Sequence, residues 1–204
     1  MAEQTSRSAA PARAVLRRLR HLPDRLLHGA RRRRALDRIK NARSTSVLVI
    51  CHGNICRSPY AAAALRRVIG GDASVALDVD SAGFIGPGRR PPAHAMAVAK
   101  VRGIDLDAHL SKVVTAAIVG ASDLIIVMDR QQRRAIEQRF EPRQGSVLLL
   151  GDLDPEPIGR RAVLDPINQS EEVFVSVYTR IDRCVNALAG ALGTEPATAG
   201  EADA

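Results

Sequence analysis

Two cysteines, an arginine and a Ser-Pro pair fall within nine residues, Cys51-His52-Gly53-Asn54-Ile55-Cys56-Arg57-Ser58-Pro59. Gly53 can take positive φ, and successive backbone N–H groups in such a loop converge on one tetrahedral oxyanion. Ser58 suits the N-cap of a following helix and Pro59 its first position, so the helix dipole would aim its positive end at the same point. Arg57 adds a planar fork of donors that grips two oxygens at once. A field of that sign favours a sulfur anion at Cys51, the attacking form of a cysteine. The segment reads as a phosphate cradle with a nucleophile at its base. Cys51 and Arg57 are the candidate catalytic pair, and His52, Gly53, Asn54, Ile55, Cys56 and Ser58 the candidate phosphate-binding loop. No Gly-Lys-Ser or Gly-Lys-Thr is present, which excludes the nucleotide-binding P-loop.

The elements that must hold this loop can be read from the alternation of apolar runs and helical spacing. Val47 to Ile50 predicts strand one, ending at Cys51, and Ser58 to about Ile69 a helix, with Gly70-Gly71 punctuating the link to strand two at Leu77 to Ser81. After a loop from Gly83 to Pro92, Ala93 to about Arg102 predicts a helix. Leu124 to Met128 predicts strand three, Arg130 to about Phe140 a helix, Val147 to Leu150 strand four, and Glu171 to about Leu192 the closing helix. Such alternation implies an α/β fold, a three-layer doubly wound sheet of four parallel strands with its ligand at the carboxyl ends of the strands. Aromatics are only 2% of the chain, so the core must be built from Val, Leu, Ile and Ala, as suits a parallel sheet.

A Cys, five residues, Arg and then Ser-Pro at the end of the first strand resembles the low-molecular-weight protein-tyrosine phosphatase family, and Gly53-Asn54-Ile55-Cys56-Arg57-Ser58-Pro59 is the specific part of the match. The resemblance spans roughly residues 44–192 and implies a flavodoxin-like sheet of the phosphotyrosine phosphatase I type. It further implies hydrolysis of phosphotyrosine through a phosphocysteine, with no cofactor and no metal. The leaving phenolate needs a proton and the attacking water a base, and one carboxylate can do both in turn. The family carries it on an Asp-Pro loop before the last helix, which Asp165-Pro166 matches. Asp154-Pro155 reads instead as a turn after strand four. Where the family usually follows that pair with an aromatic, this chain has Ile167 and Asn168, so substrate specificity is open. Asp80-Ser81-Ala82-Gly83, and Gly103-Ile104-Asp105-Leu106 followed by His109, also resemble family segments, which makes Ser81, His109 and Pro166 supporting residues around Asn54 and Asp165. The bland reading of His109 is a surface histidine. Cys56 is a possible redox partner of Cys51, or else a packing residue, and Cys184 reads as buried and inert.

Rival readings on the same scaffold are a protein-arginine phosphatase, disfavoured by Ile55 where such relatives tend to carry Thr, and an arsenate reductase, which needs a cysteine pair after strand three. No cysteine lies between residues 57 and 183. A non-catalytic phosphoprotein-binding module would lose the nucleophile or the acid, and this chain keeps both. The resemblance also implies a phosphotyrosine protein substrate, with a tyrosine kinase of surface polysaccharide synthesis as the partner class.

Three cysteines, two in one loop, point to a reducing compartment and a cytoplasmic enzyme rather than a disulfide scaffold. The net charge of +8 is uneven: residues 1–43 hold 13 Lys and Arg against 3 Asp and Glu, leaving 17 against 19 for the remainder. This basic extension, with Arg17-Arg18-Leu19-Arg20 and Arg31-Arg32-Arg33-Arg34, is expected to be flexible or partly helical, broken or kinked at Pro23. It could tether the domain to an anionic membrane or nucleic acid, or be a solvated arm. Residues 193–204 read as a flexible tail.

Overall fold

The computed structural model describes residues 22–70 and 77–193; the basic residues 7–20 of the extension and the expected tail beyond residue 193 lie outside the described residues. Strands β1 (Ser46–Cys51), β2 (Asp78–Gly83), β3 (Leu124–Val127) and β4 (Val147–Leu149) form one parallel sheet in the order β2-β1-β3-β4. From β1 the chain goes to one side of the sheet and then to the other. The crevice at the carboxyl end of β1 is therefore the switch point at which doubly wound folds bind ligands, and Cys51 ends that strand.

Side chains alternate along β1 and sort into two cores. Val47, Val49 and Cys51 face helices α2 (His28–Ala42), α3 (Arg57–Ile69), α4 (Ala93–Val101) and α7 (Glu171–Ala191), whereas Leu48 and Ile50 face α5 (Ala116–Gly120) and α6 (Arg130–Phe140). The rings of Tyr60 and Tyr178 stack at 3.7 Å between α3 and α7, with Phe174 edge-on to Tyr178, so three of the chain's five aromatics cluster behind the Cys51 loop. Tyr178 Oη reaches that loop directly, donating to the Cys56 carbonyl at 3.2 Å.

Element boundaries shift in places for identifiable reasons. β2 starts one residue later and runs two further than expected because Ser81, Ala82 and Gly83 pair with Val49, Ile50 and Cys51. β4 stops at Leu149 and tightens into a 3₁₀ turn, Leu150–Asp152. The short α5, absent from the sequence reading, is capped by Thr115, whose Oγ1 accepts from the Ile118 amide at 3.3 Å.

The end of the basic extension departs from the solvated-arm expectation. Pro23 lies in the first turn of a short helix, α1 (Leu22–Leu26), where no N–H is missed. α2 then buries Ala35 and Ile39, with Leu36 packed beside them, while Arg33, Arg34, Arg38 and Lys40 stay exposed. A three- and four-residue apolar stripe therefore docks the helix despite its charge. His28 Nε2 donates to the Asp154 carbonyl at 2.9 Å, and Arg32 Nε to the Leu153 carbonyl at 3.3 Å.

Candidate active site

The chain leaves β1 at Cys51 and wraps back on its sulfur before entering α3. Cys51 Sγ, itself buried, accepts the Asn54 amide at 3.2 Å and the Ser58 hydroxyl at 3.0 Å. Two donors thus converge on one sulfur. The expectation that Ser58 caps the helix does not hold: α3 begins at Arg57, Cys56 occupies the cap position without a side-chain cap bond, and the serine hydroxyl is turned to the sulfur instead.

Asn54 holds the bend. It takes φ +52, a left-handed conformation that asparagine tolerates better than most residues, and it is fully buried. Its side-chain amide donates to Ser58 Oγ and to Ser81 Oγ, both at 2.9 Å, and its Oδ1 accepts the Lys112 amide at 2.9 Å. Every hydrogen-bonding position of the NH₂ group is thereby used. His109 is not a free surface residue, since its Nε2 donates to the Asn54 carbonyl at 2.8 Å. Behind the loop, a Cβ on Gly83 would stand 2.8 Å from the Asn54 nitrogen and 2.9 Å from the His52 carbonyl, so glycine is what lets β2 come this close.

Arg57 and Asp165 meet over this loop. The arginine is buried, its NH1 donating to the Val163 carbonyl at 3.1 Å and its NH2 to Asp165 Oδ2, while its Nε is buried without a protein partner. Asp165 is more open, with 38% of its side chain exposed, and its Oδ1 accepts the Ile167 amide at 3.3 Å in a local turn that buried Pro166 stiffens. Both groups line a pocket of about 100 Å³ with Cys51, His52, Gly53, Ile55, Cys56, Ile85, Arg89 and Ile167. Ile167 thus stands on the wall of this pocket, in the position after Asp-Pro where the family usually carries an aromatic, and Asn168 turns the chain away at φ +58.

The second Asp-Pro pair lies elsewhere. Asp154 is buried against α7, where it accepts from Arg180 Nε and Arg183 Nε at 3.0 Å and from Arg183 NH2 at 3.2 Å. Burial alone would raise its carboxyl, but the bonds from Arg183 and the Glu156 amide, with the charges of Arg183 and Arg180, outweigh it and hold the group below the usual carboxylate range. It is an ion-network centre, more than the simple turn read from sequence.

Cys56, buried below the loop, is pushed up to about 12, first by burial and then by the charges of Cys51 and Asp165. Cys51, Cys56 and Cys184 are all free thiols, and burial, then the nearby Asp154, pushes Cys184 up to about 12 as well. The sequence reading missed Arg89, which clips the 83–92 loop to the cradle by donating to the carbonyls of Gly53 at 2.8 Å, Ile85 at 2.9 Å and Gly86 at 3.0 Å. Only its place in a long loop, with Gly86 and Gly88 before it and Pro91-Pro92 after, hints at such a clip. Among the described residues no group of three or more His, Cys, Asp or Glu could hold a metal ion.

The profile of the family described as low molecular weight phosphotyrosine protein phosphatase matches residues 46–198. This chain belongs to that family. It is 37% identical over 144 residues to a probable low molecular weight protein-tyrosine-phosphatase, EpsP, of Ralstonia nicotianae, covering 70% of this chain and 92% of the relative. The crystal structure of the tyrosine phosphatase Wzb from Escherichia coli K30 in complex with sulphate superposes with a TM-score of 0.66 at 30% identity, covering 74% of this chain and 99% of Wzb. The YwlE arginine phosphatase from Geobacillus stearothermophilus shares the fold at a TM-score of 0.64 and 26% identity, covering 73% and 93% of the two chains. Family membership and a four-stranded parallel sheet of the family's flavodoxin-like type thus agree with the expectation from the cysteine loop. The matched region starts at β1, so α1 and α2 lie outside it.

Proposed function

We propose that this chain hydrolyses phosphotyrosine on proteins, with Cys51 as nucleophile and Asp165 as general acid and then base. The observation that carries the reading is the meeting of Arg57 and Asp165 on the rim of the Cys51 pocket in a member of this family. Cys51 Sγ attacks phosphorus, the bond from phosphorus to the phenol oxygen breaks, and Asp165 delivers a proton to that oxygen. A water then attacks the phosphocysteine, giving its proton to Asp165, and the sulfur leaves as an anion received by the Ser58 hydroxyl and the Asn54 amide. The amides of residues 52–57 and the Arg57 fork hold the three phosphoryl oxygens, so catalysis is positioning plus fixed donors. A phosphate in the cradle competes with Asp165 for Arg57 and frees the carboxyl to work. Ser81 and His109 act through Asn54, and Pro166 through Asp165.

Cys56 is proposed as the redox partner of Cys51 on its place in the same loop. Its raised thiol keeps it protonated at neutral pH, so it would answer oxidation of Cys51 rather than compete in catalysis. The proposed setting is the cytoplasm, supported by three free cysteines; among the described residues no helix is long and apolar enough to cross a membrane. A tyrosine kinase of surface polysaccharide synthesis is the proposed partner class, supported by the likeness to EpsP and Wzb. The basic extension is proposed as an electrostatic tether to anionic lipid, on the exposed arginines of α2; nucleic acid is the competing occupant.

Rates on phosphotyrosine, phosphoarginine and phosphoserine peptides test the substrate class, and Cys51→Ser tests the covalent step. Turnover of the phosphotyrosine peptide should dominate and vanish in the variant. Appreciable turnover by pure Cys51→Ser protein, or a preference for phosphoarginine, would overturn the reading.

A further inference from the structure

A larger cleft of about 560 Å³ opens beside the Cys51 pocket and shares His52, Arg57, Ile85 and Asp165 with it. Its remaining walls come from α6, through Gln131 and Arg139, and from the chain leading to Asp165, through Arg160 and Leu164. Ile85 and Leu164 are apolar and 43% and 54% exposed. Arg139 lies over the Phe84 ring at 5.9 Å, an arrangement that orients its fork without neutralising it. Neighbouring arginines are neutralised: Arg57 by Asp165, Arg161 by Asp152, and Arg180 and Arg183 by Asp154. Arg139 and Arg160, by contrast, are exposed and pair with no carboxylate among the described residues. Of the two acids in the cleft, Asp165 pairs with Arg57, and Asp129 accepts the Gln132 backbone amide at 2.8 Å and side-chain amide at 2.9 Å, neutral donors that leave it charged, so the two free arginines outnumber one carboxylate.

We propose that this cleft is a substrate subsite for an acidic side chain flanking the phosphotyrosine, with Arg139 and Arg160 facing its carboxylate and Ile85 and Leu164 packing on its stem. The proposal rests on the phosphatase reading, because it is the peptide around a phosphotyrosine seated in the Cys51 pocket that would lie here. Continuity of the two hollows through His52, Arg57, Ile85 and Asp165 gives that peptide a path, and two unneutralised cations select its charge. Such near-surface pairs act additively with the phosphate contact and are screened by salt.

Two phosphotyrosine peptides of equal length, one with Glu and one with Ala on either side of the phosphotyrosine, test the proposal through the ratio of their kcat/KM values. The intact chain should prefer the acidic peptide by about tenfold at low salt, mostly in KM, and less as salt rises. Arg139→Gln and Arg160→Gln should each reduce that ratio several-fold, and the double variant should bring it to about one. Arg139→Lys keeps the charge and should keep most of the preference, which separates charge from a folding defect. No preference in the intact chain, or an undiminished one in the double variant, would overturn the subsite. If neither peptide is hydrolysed, the phosphatase reading fails by itself. Fluorescence anisotropy of the two labelled peptides with intact and doubly substituted protein then reads the subsite, with the same preference expected and its absence overturning it.

Discussion

Asp165-Pro166 and Asp154-Pro155 are the same dipeptide eleven residues apart, and each aspartate accepts the amide two residues on, at 3.3 Å and 3.2 Å. Each also pairs with arginine, but the burial is inverted. At Asp165 the arginine side chain is 4% exposed and the carboxylate 38%; at Asp154 the carboxylate is 1% exposed and the arginines are 20% and 29%. A carboxylate at the edge of a pocket can exchange its partner and its proton with a ligand, whereas one sealed beneath two guanidiniums cannot without leaving them uncompensated. The same local turn therefore leaves one aspartate open to a ligand, as the proposed general acid must be, and seals the other into the architecture. The two are also joined, for Arg180 bonds Asp154 and donates to the carbonyls of Ala162 at 2.9 Å and Arg160 at 2.7 Å, bracing the chain that runs to Asp165.

The strongest way to break this contrast is through leaving-group dependence. Asp165→Asn should slow hydrolysis of phenyl phosphate by about 10²–10³-fold and of para-nitrophenyl phosphate much less, since only the poor leaving group needs a proton. Asp154→Asn should leave the ratio of the two rates near that of the parent chain. Its cost belongs to stability, about 3 kcal/mol from leaving Arg180 and Arg183 facing a neutral amide, read as a lowered denaturation midpoint at constant slope. If Asp154→Asn altered the leaving-group ratio and Asp165→Asn the midpoint, the assignment would be inverted.

A smaller effect follows from the depressed Asp154 carboxyl. A group held lower in the folded state than in the unfolded chain contributes stability above its unfolded value, and that contribution is lost as pH falls through the folded value. The stability difference between the parent chain and Asp154→Asn should therefore be constant near neutrality and shrink as pH drops below the usual carboxylate value of 3.8. A difference that instead grew on acidification would show that Asp154 is not the ionised centre of its network.

The cradle and the sheet were legible in the sequence because each is written locally. Val47 to Ile50 is an unbroken apolar run, and Arg57 and Pro59 carry a charge and a backbone constraint that few other residues meet, whereas the left-handed turn expected at Gly53 falls at Asn54 instead. What escaped depends on distant partners or on backbone acceptors. The burial of Asp154 comes from Arg180 and Arg183, 26 and 29 residues away, so the dipeptide alone looks like a turn. Ser58 misled because a serine suited to a cap is equally suited to donate to sulfur, and the choice turns on a helix that starts one residue earlier than expected. Arg89 binds three carbonyls, which no side-chain pattern encodes, and the stripe of Ala35, Leu36 and Ile39 in α2 is masked by the arginines between and before them.

The smallest expected effect sharpens the contrast from the permissive side. Ile167 follows Asp165-Pro166, is half-buried and forms part of the Cys51 pocket wall, with no hydrogen bond of its side chain to lose. An aliphatic wall packs on a phenyl ring but lacks the quadrupole match of two aromatics, a difference of about 0.5–1.5 kcal/mol. Ile167→Phe should therefore lower KM for phenyl phosphate by about two- to tenfold, the same energy expressed as binding. Because the added contact is made to the ring in both ground and transition states, kcat should stay near the parent value. An alkyl phosphate has no ring to stack and serves as the reference, so the KM ratio of phenyl to alkyl ester isolates the wall from any change in the cradle. The contrast predicts tolerance at this edge and none at Asp154. If Ile167→Phe instead lowered the denaturation midpoint as much as Asp154→Asn does, the Asp165 loop would hold the fold together no less than its buried counterpart, and the division of labour between the two loops would be lost.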